Sequence, residues 1–217
     1  MEVRRGPCRA HVETPAKPAG RGVLILHELF GLNDDMRRIA SRFAEQGYLA
    51  VVPAMFGGPR CLARTLGNEA RRQELDGWRE WMADHGVVRA GIIGFCMGGG
   101  FALAHVATGA DFDVASVNYG AVTVDDLSRA CPVVGSYGDQ DRIMLPQAQR
   151  LVELLDRAQV EHDVKVYPGV GHSFLNQHEG WQGALARIPS PMKTGHAPEA
   201  ADDAWRRIFA FFDSHLA

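Results

Sequence analysis

The chain is poor in the features that place a sequence by composition alone. Cysteine is scarce. Cys8, Cys61, Cys96 and Cys131 are the only four in 217 residues, with no C-x-x-C pair and no metal-like spacing. No apolar h-region opens the sequence, so no secretory signal is expected, and reduced thiols in a cytoplasm are the default. Disulfides are not required for a chain of this length. Long apolar runs are missing too: the stretch Val23 to Leu26 is far too short to cross a bilayer, which argues against a membrane partner. There is no excess of one charge. A net charge of -3 argues against a nucleic-acid partner, and Arg4-Arg5, Arg37-Arg38, Arg71-Arg72 and Arg206-Arg207 each lie among acids, as on solvated helix faces. No repeat, low-complexity tract or linker divides the chain, so a single domain over 1–217 is expected. With 46% hydrophobic and 23% charged residues, it has the makings of an ordinary folded core.

The organising stretch is Gly94-Phe95-Cys96-Met97-Gly98-Gly99-Gly100. The hydrophobic run Val87 to Ile93 leads into it and a helical pattern, Phe101 to Val106, leads out. Strand, glycine-flanked reactive residue and helix form the layout of a nucleophile elbow. The turn is tight enough that a Cβ at Gly94 or Gly98 would collide with the neighbouring element. It lifts one side chain clear of the sheet, at a helix N-terminus whose free N–H groups favour negative charge. That side chain is Cys96.

Along the chain, residues 1–20, with Pro7, Pro15 and Pro18, read as an irregular lead-in with at most one edge strand. Gly22 to Leu26 is a continuous apolar run of the kind buried on both faces of a parallel sheet. A helix follows, capped by Asn33 or Asp34, with Met36, Ile39, Ala40 and Phe43 inward and Gly47 as its stop. Tyr48 to Pro53 is a strand. Cys61 to His85 is helical through Leu62, Leu66, Leu75, Trp78 and Met82, with Gly67 and Gly77 as candidate breaks. Val114 to Tyr119, Pro132 to Tyr137 and Val164 to Tyr167 are further strands; Pro146 opens a helix, 176–199 is a long loop, and Trp205, Ile208, Phe209 and Phe212 mark a closing helix. Alternating strands and helices imply an α/β fold: a mainly parallel central sheet, right-handed crossovers, helices on both faces. Glu28, Cys96, Asp141 and His172 all fall just after a strand, so one rim of the sheet collects them.

A thiol needs a base, and His172 stands just past the last strand. An acid must fix the imidazole tautomer. Asp141 lies between thiol and histidine in sequence, the order used by α/β-hydrolases, and Asp139 competes for the role. The amide of Met97 and one from the loop at Leu29 would make an oxyanion hole. Most cysteines in apolar stretches are structural thiols, and Cys8, Cys61 and Cys131 are read so. Glu28 is either a solvated loop carboxylate or a second acid near the thiol. Trp78 and Trp81 are read as core.

Together these residues resemble the dienelactone hydrolase family of α/β-hydrolases. The matching segments are His27-Glu28-Leu29-Phe30-Gly31-Leu32-Asn33, Gly94 to Gly99, Asn118-Tyr119-Gly120, Gly138-Asp139-Gln140-Asp141 and Gly171-His172-Ser173-Phe174. The resemblance implies that Cys96 is the nucleophile, His172 its base and Asp141 the acid. It makes Glu28 the auxiliary glutamate that exchanges partners with the thiol. It also implies lactone or ester opening through an acyl-enzyme, with no metal or organic cofactor. In the dienelactone-cleaving enzymes an arginine four residues after the histidine helps hold the substrate carboxylate; here that position is Asn176. Arg64, Arg71 and Arg72 are the candidates for a second substrate-binding arginine. Phe30, Tyr119, Phe174 and Asn176 are the expected substrate-facing residues, with the 56–82 region and Asn118 shaping specificity. The alternatives are a ligand-binding or regulatory protein on a hydrolase scaffold and a thiol redox protein; a small-molecule ester or lactone as partner, and a monomer or dimer, complete the expectation.

Overall fold

The computed structural model describes residues 1–5, 8–55, 67–180 and 190–217. Pro7, Cys61, Leu62, Arg64 and Leu66, the first part of the helix predicted over 61–85, and 181–189 of the predicted loop lie outside the described residues. Eight strands form one sheet: β1 (Glu2–Arg5), β2 (Cys8–Glu13), β3 (Arg21–Leu26), β4 (Leu49–Pro53), β5 (Arg89–Phe95), β6 (Val114–Asn118), β7 (Val133–Gly138) and β8 (His162–Tyr167). Their order is β1-β2-β4-β3-β5-β6-β7-β8. From β4 through β8 every pairing is parallel; β1 and β2 form an antiparallel edge. Five described helices accompany them: α1 (Asp34–Glu45), α2 (Asn68–Asp84), α3 (Met97–Val106), α4 (Leu145–Ala158) and α5 (Pro198–Leu216).

The sheet is covered on both faces. Phe43 of α1 packs on Trp205, Phe209 and Phe212 of α5, so these helices share one face. A Cβ on Gly91 of β5 would reach Phe212, whereas one on neighbouring Gly22 of β3 would reach Met82 of α2. Alternation along and across the strands thus sends α2 to the opposite face. There Arg71 of α2 stacks over Phe101 of α3 at 4.1 Å. β4, and β3 and β5 beyond their opening Arg21 and Arg89, are buried because both faces are helix-covered, and their near-continuous Val, Ile and Leu runs read accordingly.

Four expectations are corrected. Residues 1–20 hold a two-stranded edge, not one strand at most: β1 and β2 pair Glu2 with His11 through Arg5 with Cys8. Pro15 and Pro18 fall after β2 instead of interrupting it. Gly77 does not break α2, which is continuous from Asn68 to Asp84. A Cβ at Gly77 would lie 1.7 Å from the Arg5 guanidinium, so the glycine serves close packing of β1 on the helix. The loop predicted over 176–199 ends early, because α5 starts at Pro198. Cys96 and Cys131 carry free thiols, but Cys8 is disulfide-bonded, against the expectation of reduced thiols throughout. Cys8 is buried at the start of β2. α1 begins as read, with Asn33 Oδ1 accepting from the Met36 amide at 3.0 Å.

Candidate active site

Cys96 joins β5 to α3 with φ 53° and ψ -117°, a conformation costly for any residue with a Cβ. The surroundings enforce it. Its amide donates to Asn118 O at 3.0 Å, and Asn118 Nδ2 donates to Gly94 O at 3.2 Å. A Cβ at Gly94 would sit 2.0 Å from Gly98 O; one at Gly98 would sit 2.2 Å from Leu26 O. The first turn of α3 therefore lies directly on the end of β3. Gly98→Ala should cost about 3 kcal/mol of stability, since β3 is a central strand whose backbone cannot yield. Urea unfolding measures it, and a loss under about 0.5 kcal/mol would refute the packing argument.

Tyr119 (φ 41°) and Ser173 (φ 56°) are also strained non-glycine residues beside the same rim. His172 follows β8 and Asp141 follows β7; the His172 Nδ1–H donates to Asp141 Oδ2 at 2.5 Å. Asp141 is fully buried, and its Oδ1 accepts from the amides of Ile143 (3.2 Å) and Met144 (3.1 Å), which fixes the carboxylate. Asp139 faces elsewhere, its Oδ1 accepting from the Gly169 amide at 2.8 Å and from Gln140 at 3.0 Å. Burial alone would depress the His172 pKa. The bond to Asp141 and the neighbouring Cys96 sulfur outweigh it and raise the imidazole to about 9. His172 Nε2 is buried, with Cys96 beside it and no hydrogen bond of good geometry formed. A strap over 190–197 braces this loop: His172 N donates to Met192 O at 2.8 Å and Gly195 N to His172 O at 3.0 Å.

Glu28 is buried, 3% exposed. Its Oε2 accepts from the Ser173 hydroxyl at 3.1 Å, and its Oε1 lies 3.0 Å from His178 Nε2. His27, quoted in the sequence without a role, anchors the Glu28 loop. The Met55 amide donates to its Nε2 at 3.0 Å, so Nδ1 carries the proton and donates to Glu28 O at 2.7 Å. Burial lowers the His27 pKa to about 4, so the ring is neutral.

Tyr119 lies with its ring centroid 5.0 Å from that of His172, and its hydroxyl donates to Asn176 Oδ1. Asn176 Nδ2 donates to Asp35 Oδ2 at 2.7 Å, and Asp35 Oδ1 accepts from the Gln177 amide at 3.0 Å. Asn176 and Phe174 are fully buried; Phe174 packs between Tyr119 and Tyr167. Phe30 is half-buried and meets His178 edge-on at 5.1 Å. The pocket at Cys96 measures about 600 Å³ and is walled by Met97, Phe101, Ala121 and Met144, with Arg71 of α2 on its rim. Arg72 pairs with Glu69 at 2.7 Å. Cys131 is pushed up to about 12 by burial and is inert at neutral pH. Among the described residues no three His, Cys, Asp or Glu side chains converge as a metal site would. None of the described helices is long and apolar enough to cross a membrane.

Sequence reasoning placed Cys96, Asp141, His172 and Glu28 at one rim. It missed His178 and Asp35, because a histidine in an irregular loop and an acid in a first helical turn carry no local signal of burial.

The chain is 28% identical to the carboxymethylenebutenolidase of Rhodococcus opacus over 229 residues, covering 91% of this chain and 82% of that one. It is 26% identical to the usf protein of Aquifex pyrophilus, covering 96% and 94%. A dienelactone hydrolase-like promiscuous phosphotriesterase from metagenomic libraries shares the fold, with TM-score 0.80, 20% identity and coverage of 100% and 97%. A sequence model of the dienelactone hydrolase family matches residues 8–216.

Proposed function

The chain belongs to the dienelactone hydrolase family, and from that premise we propose a cysteine hydrolase of small esters or lactones working through an acyl-enzyme. It is a hydrolase of ester bonds by family; the mechanism is carried by one observation, the Asp141–His172 bond beside Cys96 at its strained elbow. The Cys96 thiolate attacks the carbonyl carbon, and the oxyanion takes the amides of Met97 and Leu29. Collapse breaks the C–O bond, and the His172 imidazolium gives its proton to the departing alkoxide. Water then attacks the thioester, His172 takes the water proton, and Cys96 leaves as thiolate. Asp141 holds the ring and its charge throughout.

The apolar walls suit a short acyl or alcohol group, and Arg71 is the arginine on the rim that could meet an anionic one. Phe174 and Asn176 support Tyr119 from behind instead of touching substrate. The test is trapping: mix enzyme with p-nitrophenyl acetate, quench and map the adduct by mass. The expected result is one acetyl on Cys96 that disappears on standing. An unmodified Cys96 with no p-nitrophenol released would overturn the proposal in favour of a ligand-binding protein.

A further inference from the structure

The sheet ends on an open edge at β8, which among the described strands pairs with β7 alone. The bonding phase along β8 is set at both ends. Val133 N donates to Glu161 O at 3.0 Å, and Asp139 N donates to Tyr167 O at 3.0 Å. In a parallel pair, alternate residues turn both backbone groups toward the same neighbour. Glu161, Asp163, Lys165 and Tyr167 therefore face β7, and the N–H and C=O groups of His162, Val164 and Val166 point outward. Among the described residues, no hydrogen bond reaches those outward groups. Val166 is 38% exposed despite its apolar side chain, and Asp163 and Lys165 are exposed beside it. Such an edge is a template for another strand. The opposite edge, β1, is only four residues long and carries two arginines, the usual means of blunting one.

Charge decides which strand fits. Asp163 and Lys165 lie on one face of the sheet, where Asp163 pairs with Arg207 at 2.6 Å and Lys165 with Asp203 at 2.6 Å. A second copy of β8 can lie antiparallel about a two-fold axis at Val164. Val164 then faces the partner's Val164, and His162 faces the partner's Val166. Each of these pairs exchanges reciprocal backbone bonds, and Val166 is covered. Asp163 falls directly opposite the partner's Lys165, in the closer, non-hydrogen-bonded kind of pair. Charges across the seam alternate in sign: Arg207, Asp163, the partner's Lys165, the partner's Asp203. Moving the axis by one residue instead sets Asp163 against the partner's Asp163, or Lys165 against the partner's Lys165. We infer that β8 is a self-complementary interface through which two copies of this chain join their sheets into one. The inference needs only β8 and stands apart from the chemistry at Cys96.

The experiment is sedimentation velocity of the full chain over a concentration series. Wild type should pass from one to two chain masses as concentration rises. Val164→Pro deletes the central donors without touching the bonds to β7, and should weaken association about tenfold to a hundredfold. Asp163→Lys and Lys165→Asp each set like charges opposite one another, and each should weaken it about tenfold. Mixed in equal amounts, these two variants should associate again, because every cross-seam pair in the mixed dimer is of opposite charge. A wild type that stays at one chain mass at about 100 μM, or grows past two, overturns the proposal. So does a dimer indifferent to all three substitutions, which would sit on another face, and so does a mixture no stronger than its parts. If Val164→Pro does not fold, the two charge variants, which change only exposed side chains, still decide.

Discussion

Cys96→Ala is expected to lower kcat/KM on a p-nitrophenyl ester by about 10^4-fold or more, with the melting temperature unchanged within about 2 °C. The size follows from the chemistry: without Sγ no acyl-enzyme forms, and water must attack the ester directly, aided only by the amides of the oxyanion hole. Stability should hold because the backbone at 96 is fixed by its neighbours. The Asn118 carbonyl holds the amide, and the packing of α3 against β3 holds the turn; the thiol itself is only partly buried. Retention of full activity by the alanine variant would end the reading of Cys96 as nucleophile. A parallel collapse in melting temperature would instead make the thiol a packing residue.

Asp141→Asn is expected to lower kcat/KM by about 10^3-fold at pH 7. The carboxylate is what lifts His172 against its burial, so an amide leaves a buried imidazole that does not stay charged beside a thiolate. The same group makes a pH-dependent contribution to folding. His172 rises from 6.5 in the unfolded chain to about 9 in the fold. A raised pKa stabilises the folded state fully below pH 6.5 and loses that stabilisation as pH climbs through 9, by an amount on the order of 3 kcal/mol. Melting temperatures across this window should therefore fall with rising pH in wild type, and the slope should flatten in Asp141→Asn. Equal slopes in both proteins would mean that Asp141 does not set the charge on His172.

What could be read from residue order was the local part. β3, β4 and β5 announce themselves as apolar runs because burial on both faces forbids polar positions. The helix cap at Asn33 is legible for a similar reason: it depends on contacts within one turn. The choice between Asp139 and Asp141 was harder. Spacing favours Asp141 only modestly over Asp139, two residues away after the same strand, until the chain turns one toward His172 and the other toward Gly169. Of β1 and β2 at most one edge strand was read, because an antiparallel edge owes its pairing to β4, far along the chain.

The sequence by itself determined the elbow. Glycines flank Cys96 within one turn, and a Cβ at Gly94 would sit 2.0 Å from Gly98 O; the approach of Gly98 to Leu26 is added by the fold. Only the tertiary structure decided what surrounds the thiol. Ser173 meets Glu28 across 145 positions and Asn176 meets Asp35 across 141. Such pairs form because loops from opposite ends of the chain pack at one rim, where a buried carboxylate must find a partner or take up a proton. That requirement acts through space, and residue order carries no record of it.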